Sequence, residues 1–311
     1  VHDLFRSREQ IVRSNVLDLS VVIVNWNTKD LLRGCLTSLY DSEGDFSFET
    51  VVVDNCSGDG SAEMVREEFP QVHLIESEIN GGYAYANNQG LRCFQARYYL
   101  LLNPDTVLPP DALRRMLEFL DSHPEVGIAG PKLVMADGEL DLACRRSFPT
   151  PENSFYKLFG LSRFFPNSER FGRYNLTYLD PDQVAEVDSV VGAFMMVRSE
   201  VVEEVGCLDE QYFMYAEDLD WALRAKRAGW KVYYYPEVTV LHYKRQSSQQ
   251  NKDRSNYEFW RAMYIFYRKH YAHETPLWLH YLVLGGLSVR GRGRMLRTIM
   301  RAERERATVE A

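Results

Sequence analysis

The sequence lacks the features that mark secreted, membrane-spanning or nucleic-acid-binding chains. It has five cysteines (Cys35, Cys56, Cys93, Cys144 and Cys207), an odd and dispersed set with no Cys-x-x-Cys spacing. That argues against a disulfide framework or a zinc site and implies reduced thiols in a reducing compartment. No run reaches the roughly 18 apolar residues that a membrane-spanning helix needs. The nearest, Trp278 to Leu287, is short and contains His280 and two glycines. Residues 1–18, read as an N-terminal extension, are charged and have no apolar core of a secretory leader. Positive charge is not in excess: the formal net charge is -8, which argues against bulk nucleic-acid binding. Neither a P-loop nor a Gly-x-Gly-x-x-Gly spacing occurs, and no internal repeat is evident. The expected location is therefore the cytoplasm.

What remains is ordinary globular composition over 311 residues, 45% hydrophobic and 26% charged. Leu19–Asn25, Glu49–Asp54, Val72–Ile75 and Tyr98–Leu102 are short apolar runs that read as buried strands. Helical patterns separate and follow them at Lys29–Tyr40, Ser61–Phe69, Tyr83–Gln95 and Pro110–Ser122, the last with proline suited to a first turn. Four strand–helix alternations predict an α/β fold, with right-handed crossovers and a doubly wound, mostly parallel sheet. Beyond residue 125 the pattern is mixed. Val187–Val197 reads as one long strand containing Gly192. Glu217–Ala228 reads as a helix stopped by Gly229, and Lys231–Pro236 and Val238–Tyr243 as two more strands. Cys144–Gln183, rich in aromatic, Pro and Asn residues, reads as a long loop region over the site. From Asn251 the chain reads as helical, ending in Arg290, Arg292, Arg294, Arg297 and Arg301 among Leu296, Ile299 and Met300. The expected organisation is thus an extension (1–18), a first half (19–125), a second half (126–250) and C-terminal helices (251–311).

In such sheets ligands sit at the carboxyl ends of strands, and polar residues gather there. Asp54 suits a nucleobase imide or ribose hydroxyl, or simply shapes the Ser-Gly-Asp-Gly-Ser turn after it. Asn80-Gly-Gly-Tyr83 offers glycines before a helix, where a diphosphate can approach backbone N–H groups; a plain loop–helix junction has the same pattern. Asp105 in Asn103-Pro-Asp-Thr106 suits a hard divalent cation, or a turn. Glu217, Asp218 and Asp220 open a helix whose dipole favours carboxylates in any case; such a carboxylate also suits a general base. His242 ends a strand beside Lys244 and Arg245, as a structural histidine or as a metal or phosphate ligand.

Taken in order, six segments resemble the family 2 glycosyltransferases of the GT-A fold. They are residues 21–27 (VVIVNWN), 53–61 (VDNCSGDGS), 80–90 (NGGYAYANNQG), 102–106 (LNPDT), 191–197 (VGAFMMV) and 213–221 (FMYAEDLDW). The resemblance spans about Leu19 to Arg245, and Asn-Trp-Asn, Asn-Pro-Asp-Thr and Glu-Asp-Leu-Asp-Trp are most similar to a bacterial rhamnosyltransferase-like branch. It implies a mixed acceptor-side region and sugar transfer with inversion, commonly from dTDP-L-rhamnose or another dTDP- or UDP-sugar, in cell-wall or surface polysaccharide synthesis. By the same resemblance, Val24, Asn25, Asn27, Asp54, Gly82, Asn87, Asn103 and Asp105 bind the nucleotide-sugar. Asp218 is the catalytic base. Gly192, Glu217 and Trp221 line the site of a saccharide or lipid-linked acceptor. Asp105, with His242, holds Mg²⁺ or Mn²⁺. The sequence departs from the family's paired metal carboxylates at Asn103, which leaves Asp105 as the charged donor.

Two rival functions remain at this stage. Nucleotidyl transfer to a sugar phosphate would need a Gly-rich loop with a basic residue after the first strand, which is missing. A non-catalytic nucleotide-sugar-binding scaffold would not need Asp105 and Asp218. The arginine-rich end suits an anionic inner-leaflet surface, a solvated helix or a homo-oligomer contact.

Overall fold

The computed structural model describes residues 16–158, 160–244 and 252–309. The first half follows the expected alternation: β1 (Leu17–Asn25), α1 (Lys29–Tyr40), β2 (Phe48–Asp54), α2 (Ser61–Glu68), β3 (His73–Glu76), α3 (Tyr83–Leu91) and β4 (Ala96–Leu102). β1 pairs in parallel with β2 and β4, and β2 with β3, so the carboxyl ends of β1, β2 and β4 share one edge. Val21, Val22 and Ile23 are fully buried between helices on either face, as a doubly wound sheet requires. α3 is shorter than expected, because Arg92 N–H turns back to the Gln89 carbonyl. The helix after β5 (Thr106–Val107) is α4 (Ala112–Ser122); Pro110 stands in the turn before it.

The second half adds a strand that the sequence reading missed, β6 (Val126–Val134). Its Gly127, Gly130 and Pro131 interrupt the apolar run, and the backbone itself explains two of them: a Cβ on Gly127 would lie 2.6 Å from Val201, and one on Gly130 2.7 Å from Val190. The single strand expected over Val187–Val197 is instead β7 (Ala185–Val187) and β8 (Phe194–Arg198), separated by a segment with a turn at Gly192–Ala193. The two strands expected on either side of Pro236 form one, β9 (Lys231–His242). A register shift against β6 between Pro131 and Lys132 absorbs the proline, which has no N–H to give the ladder. The sheet order is β3-β2-β1-β4-β8-β6-β9-β5, with β7 also on β9, and one sheet runs through both expected halves. The expected loop over Cys144–Gln183 contains α5 (Pro151–Leu158) and α6 (Leu161–Phe164).

After α7 (Ser199–Val205), α8 (Glu217–Arg227) carries the acidic cluster, and α9 (Lys252–His270) packs near it. Asp220, fully buried on α8, meets His270 Nε2 at 2.7 Å, Lys269 Nζ at 2.8 Å and Arg224 Nε at 2.8 Å. Burial alone would raise the pKa of this carboxylate, but these partners hold it below the usual range. The ion cluster is therefore the joint between the C-terminal helices and the helix bearing the acidic cluster. α10 (Leu277–Arg290) and α11 (Arg292–Val309) complete the described chain. Arg245 and residues 1–15 lie outside the described residues.

Replacing Asp220 with Asn leaves the largely buried Arg224 and His270 without their carboxylate partner, while Lys269 keeps Asp209. The variant should lose about 3 kcal/mol of unfolding free energy in urea melts; a loss under about 0.5 kcal/mol would show that the cluster does not join the helices.

Candidate active site

Two continuous cavities open at the carboxyl edge of the sheet. The larger, about 600 Å³, is walled by Asn103, Asp105, Arg146, Gly192, Glu217, Asp218 and His242, among others. The smaller, about 100 Å³, lies between Trp26, Asn55, Gly82, Phe213 and Arg254; Val24, Tyr83, Met214 and Ser255 wall both.

The segment before α8 is brought to the glycine loop by one tight contact. Tyr83 N–H donates to the Phe213 carbonyl at 2.7 Å. Gly82 has φ +93°, and a Cβ there would sit 2.4 Å from the same carbonyl oxygen, so no other residue fits. Tyr215 and Ala216 then both take positive φ, at 74° and 63°. Two successive non-glycine residues in that region cost about 1 kcal/mol or more each. This turn delivers Glu217 and Asp218 to the cavity.

Asp218 is an internally satisfied carboxylate. Its Oδ2 accepts from Arg146 Nη2 at 2.5 Å and from Gly192 N–H at 3.2 Å, while Oδ1 accepts from Leu219 N–H at 2.7 Å. Arg146 also donates to the Val190 carbonyl at 3.1 Å, and its backbone pairs with Ser189. The break between β7 and β8 thus has a use, since a continuous strand would commit the Gly192 N–H to a ladder. Glu217, by contrast, is buried with Oε2 unpaired among the described residues. Burial first, and then the neighbouring Asp218 charge, push its pKa up to about 8. Adjacent carboxyls thus have opposite settings, Asp218 matched by a guanidinium and Glu217 favoured as the neutral acid.

The antiparallel pairing of β5 with β9 sets Thr106 opposite His242, which brings Asp105 beside the histidine. His242 Nε2 lies 3.2 Å from Asp105 Oδ1, and Nδ1 lies 3.1 Å from Asp141 Oδ2. Burial would lower the histidine pKa, but the two carboxylates push it up to about 9. Asp141 itself is held below the usual carboxylate range, against its burial, by His242 and Lys244. Asp105 Oδ1 is buried and its one close cationic neighbour, His242 Nε2 at 3.2 Å, is off hydrogen-bonding alignment, which leaves room for a further contact. Such an oxygen suits a divalent cation, and His242, protonated between the two carboxylates at neutral pH, can join it as a ligand only by giving up that proton. Among the described residues no group of three or more His, Cys, Asp or Glu side chains could hold a metal by itself. The remaining ligands would have to come from a diphosphate and water, as Mg²⁺ commonly takes them.

Several expected site residues lie elsewhere. Asn25 is fully buried and donates to Asp54 Oδ2 at 3.0 Å and Ser57 Oγ at 3.2 Å. Asp54 also accepts from Ser57 N–H, and Asn27 Oδ1 from Gly58 N–H. Their polar atoms hold the β2–α2 turn against β1, and none of the three walls either cavity. Asn87 is fully buried and donates to the Tyr83 carbonyl, while its Oδ1 has no hydrogen-bond partner among the described residues. Trp221, expected on the acceptor wall, is wholly buried with its indole N–H on the Gly206 carbonyl at 2.8 Å. Three residues after Asp218 on the helix, it points into the core instead. The residues that sequence reasoning missed are the cavity-lining Arg146, Tyr83, Tyr215 and the α9 residues Asn256, Phe259 and Met263, and Asp141 behind His242. The basic pair Arg145-Arg146 inside an aromatic loop was the available signal.

An α/β sheet of mostly parallel strands with a polar, carboxylate-lined cavity at its carboxyl edge is the arrangement of the GT-A architecture. Residues 17–256 match the family described as Glycosyltransferase like family 2, and the chain belongs to that family and is a glycosyltransferase. It is 26% identical over 299 residues to the N-acetylglucosaminyl-diphospho-decaprenol L-rhamnosyltransferase of Mycobacterium tuberculosis, covering 93% of this chain and 96% of that one. It is 25% identical over 236 residues to the rhamnosyltransferase WbbL of Escherichia coli, covering 72% and 82%. Both names agree with the branch that the sequence motifs resemble. Among solved structures, a mannosyltransferase from Pyrobaculum calidifontis in complex with GDP-Man and Mn²⁺ aligns with a TM-score of 0.55 at 18% identity, covering 93% of this chain and 80% of that one.

The raised Glu217 pKa carries a stability consequence. A carboxyl whose folded pKa lies above its unfolded value contributes most below about pH 4.5, and that contribution is lost as pH rises through about 8. Glu217→Gln should therefore melt close to the parent at pH 4.5 and above it at pH 8.5, by on the order of 2 kcal/mol. Equal gains at both pH values would contradict the buried neutral acid.

Proposed function

We propose that this glycosyltransferase moves L-rhamnose from dTDP-L-rhamnose to a hydroxyl of a lipid-linked saccharide, with inversion at the anomeric carbon. The reading places it at the inner face of a cell membrane, in surface or cell-wall polysaccharide synthesis. The observation that carries the mechanism is Asp218, a carboxylate on the cavity wall with Arg146 and Gly192 both on Oδ2. That arrangement leaves Oδ1, apart from its own helix N–H, to receive the acceptor proton. Arg146 keeps the carboxylate oriented while the oxygen attacks and the nucleoside diphosphate departs from the opposite face. A single displacement of this kind needs no covalent enzyme intermediate.

The smaller cavity, between Val24, Gly82 and Arg254, is taken as the nucleoside end of the donor site, with Asn25, Asn27, Asp54 and Asn87 assigned to that end by the family resemblance. Asn103 and Asp105 then face the diphosphate, and Gly192 and Glu217 face the acceptor. Asp105 and His242 would hold Mg²⁺ or Mn²⁺, which when bound offsets the charge of the leaving diphosphate. The solved mannosyltransferase and a GalNAc-T7 structure with UDP, GalNAc and Mn²⁺ support a divalent ion. The M. tuberculosis relative supports the lipid-linked acceptor, since its name specifies a diphospho-decaprenol carrier.

With dTDP-L-rhamnose and a lipid-diphosphate-linked N-acetylglucosamine, the purified protein should release dTDP. Asp218→Asn should cut turnover by about a thousandfold or more while its donor affinity stays within about threefold. Near-normal turnover in that variant would remove Asp218 as the base, and release of pyrophosphate instead of dTDP would indicate nucleotidyl transfer.

A further inference from the structure

α10 is apolar on two opposite faces. On one face His280 and Leu284 are buried against a small core of Tyr264 and Tyr267 from α9 and Met295 and Ile299 from α11. The Tyr267 hydroxyl and His280 Nδ1 lie 2.8 Å apart and fix the helix's rotation. On the other face Trp278, Tyr281, Leu282 and Val289 recur at helical spacing and are 71%, 68%, 56% and 80% exposed. Leu277, one turn before Tyr281, is 74% exposed. A helix of a water-surrounded domain normally carries polar residues on that side. A contiguous apolar face of this kind marks a contact surface.

The charge of the same region selects the partner. From Thr275 to Ala302 the sequence contains Arg290, Arg292, Arg294, Arg297 and Arg301 and no acidic residue, in a chain whose formal net charge is -8. Arg294 lies over the Tyr257 ring at 4.2 Å, tying α11 to α9. Arg297 is exposed, and Leu296 and Met300 show 45% and 47% of their surface one turn apart. A second copy of the chain, seated face to face, would bring two arginine-rich segments together. An anionic lipid surface would neutralise them. Trp and Tyr suit the headgroup layer, having an apolar ring and a polar tip. No helix of the described residues is long and apolar enough to cross a membrane, so the contact is one of lying on the surface.

We propose that α10 and α11 dock the protein on an anionic bilayer surface, with Trp278, Tyr281 and Leu282 set among the headgroups and the arginines against lipid phosphates. This deepens the inner-face location proposed above and gives it a specific surface.

The test is co-sedimentation of the full chain with phosphatidylglycerol–phosphatidylcholine vesicles and with phosphatidylcholine alone. The expected result is binding to the anionic vesicles only, weakened at least tenfold in a Trp278→Ser/Leu282→Ser double variant and several-fold in Arg297→Glu. All variants should keep the parent's melting temperature, and Trp278 fluorescence should shift to the blue on binding. Undiminished vesicle binding in the correctly folded double variant would overturn the proposal, as would absence of binding by the parent. So would a parent dimer in sedimentation equilibrium that the double variant abolishes, since that assigns the face to a second copy. Transfer of rhamnose to a soluble acceptor analogue with release of dTDP, measured without vesicles, reads the transfer chemistry separately. If release persists and docking fails, the docking surface alone is wrong; if docking persists and release fails, the transfer reading alone is wrong.

Discussion

The site depends on one buried ion pair, Arg146 with Asp218, whose side chains are 11% and 6% exposed. Two charges removed from water are costly to bury, and they hold only where geometry and further hydrogen bonds compensate. Here the Val190 carbonyl takes a second guanidinium proton and the Gly192 N–H supports the carboxylate. Both come from the segment that splits β7 from β8. The irregularity of the sheet at this point supplies the partners that compensate the buried pair, and the pair in turn fixes the loop carrying Arg146 across the cavity.

The other parts of the site follow from pairings that are equally non-local. β5 on β9 sets Asp105 against His242, and Asp141 reaches the same histidine from the end of β6. Gly82 lets the α3 loop touch the Phe213 carbonyl, and that contact supports a strained turn at Tyr215–Ala216 that regular helix geometry would not produce. On the far side of α8 the Asp220 cluster ties the same helix to α9. The acidic helix is therefore held at its start by the cavity wall and along its length by the C-terminal helices. That arrangement suits a group whose position relative to a bound sugar must be reproducible.

Much of this was legible in the sequence where the signal is local. Uninterrupted runs such as Val21–Val24 and Val51–Val53 can only be buried strands, and the leucines of Lys29–Tyr40 have helical spacing, so the first half was read within a few residues. Asp105, Glu217, Asp218 and His242 stood at element ends, where ligands bind. β6 was hidden because close backbone packing requires its glycines, and β9 seemed broken because a register shift absorbs Pro236. Asn25 and Asp54 bond to each other and to Ser57 in the turn after β2, contacts that no local pattern at a strand end reveals. Arg146 and Asp141 lie 72 and 101 residues from the partners that give them meaning. Only the folded chain brings those together.

If Asp218 serves a single displacement, as proposed, no sugar is ever attached to the protein. The anomeric configuration of the product tests this most directly, read from the one-bond carbon–hydrogen coupling of the transferred sugar by NMR. A product with the configuration opposite to that of the donor is the predicted result. Retention of the donor's configuration would contradict the account.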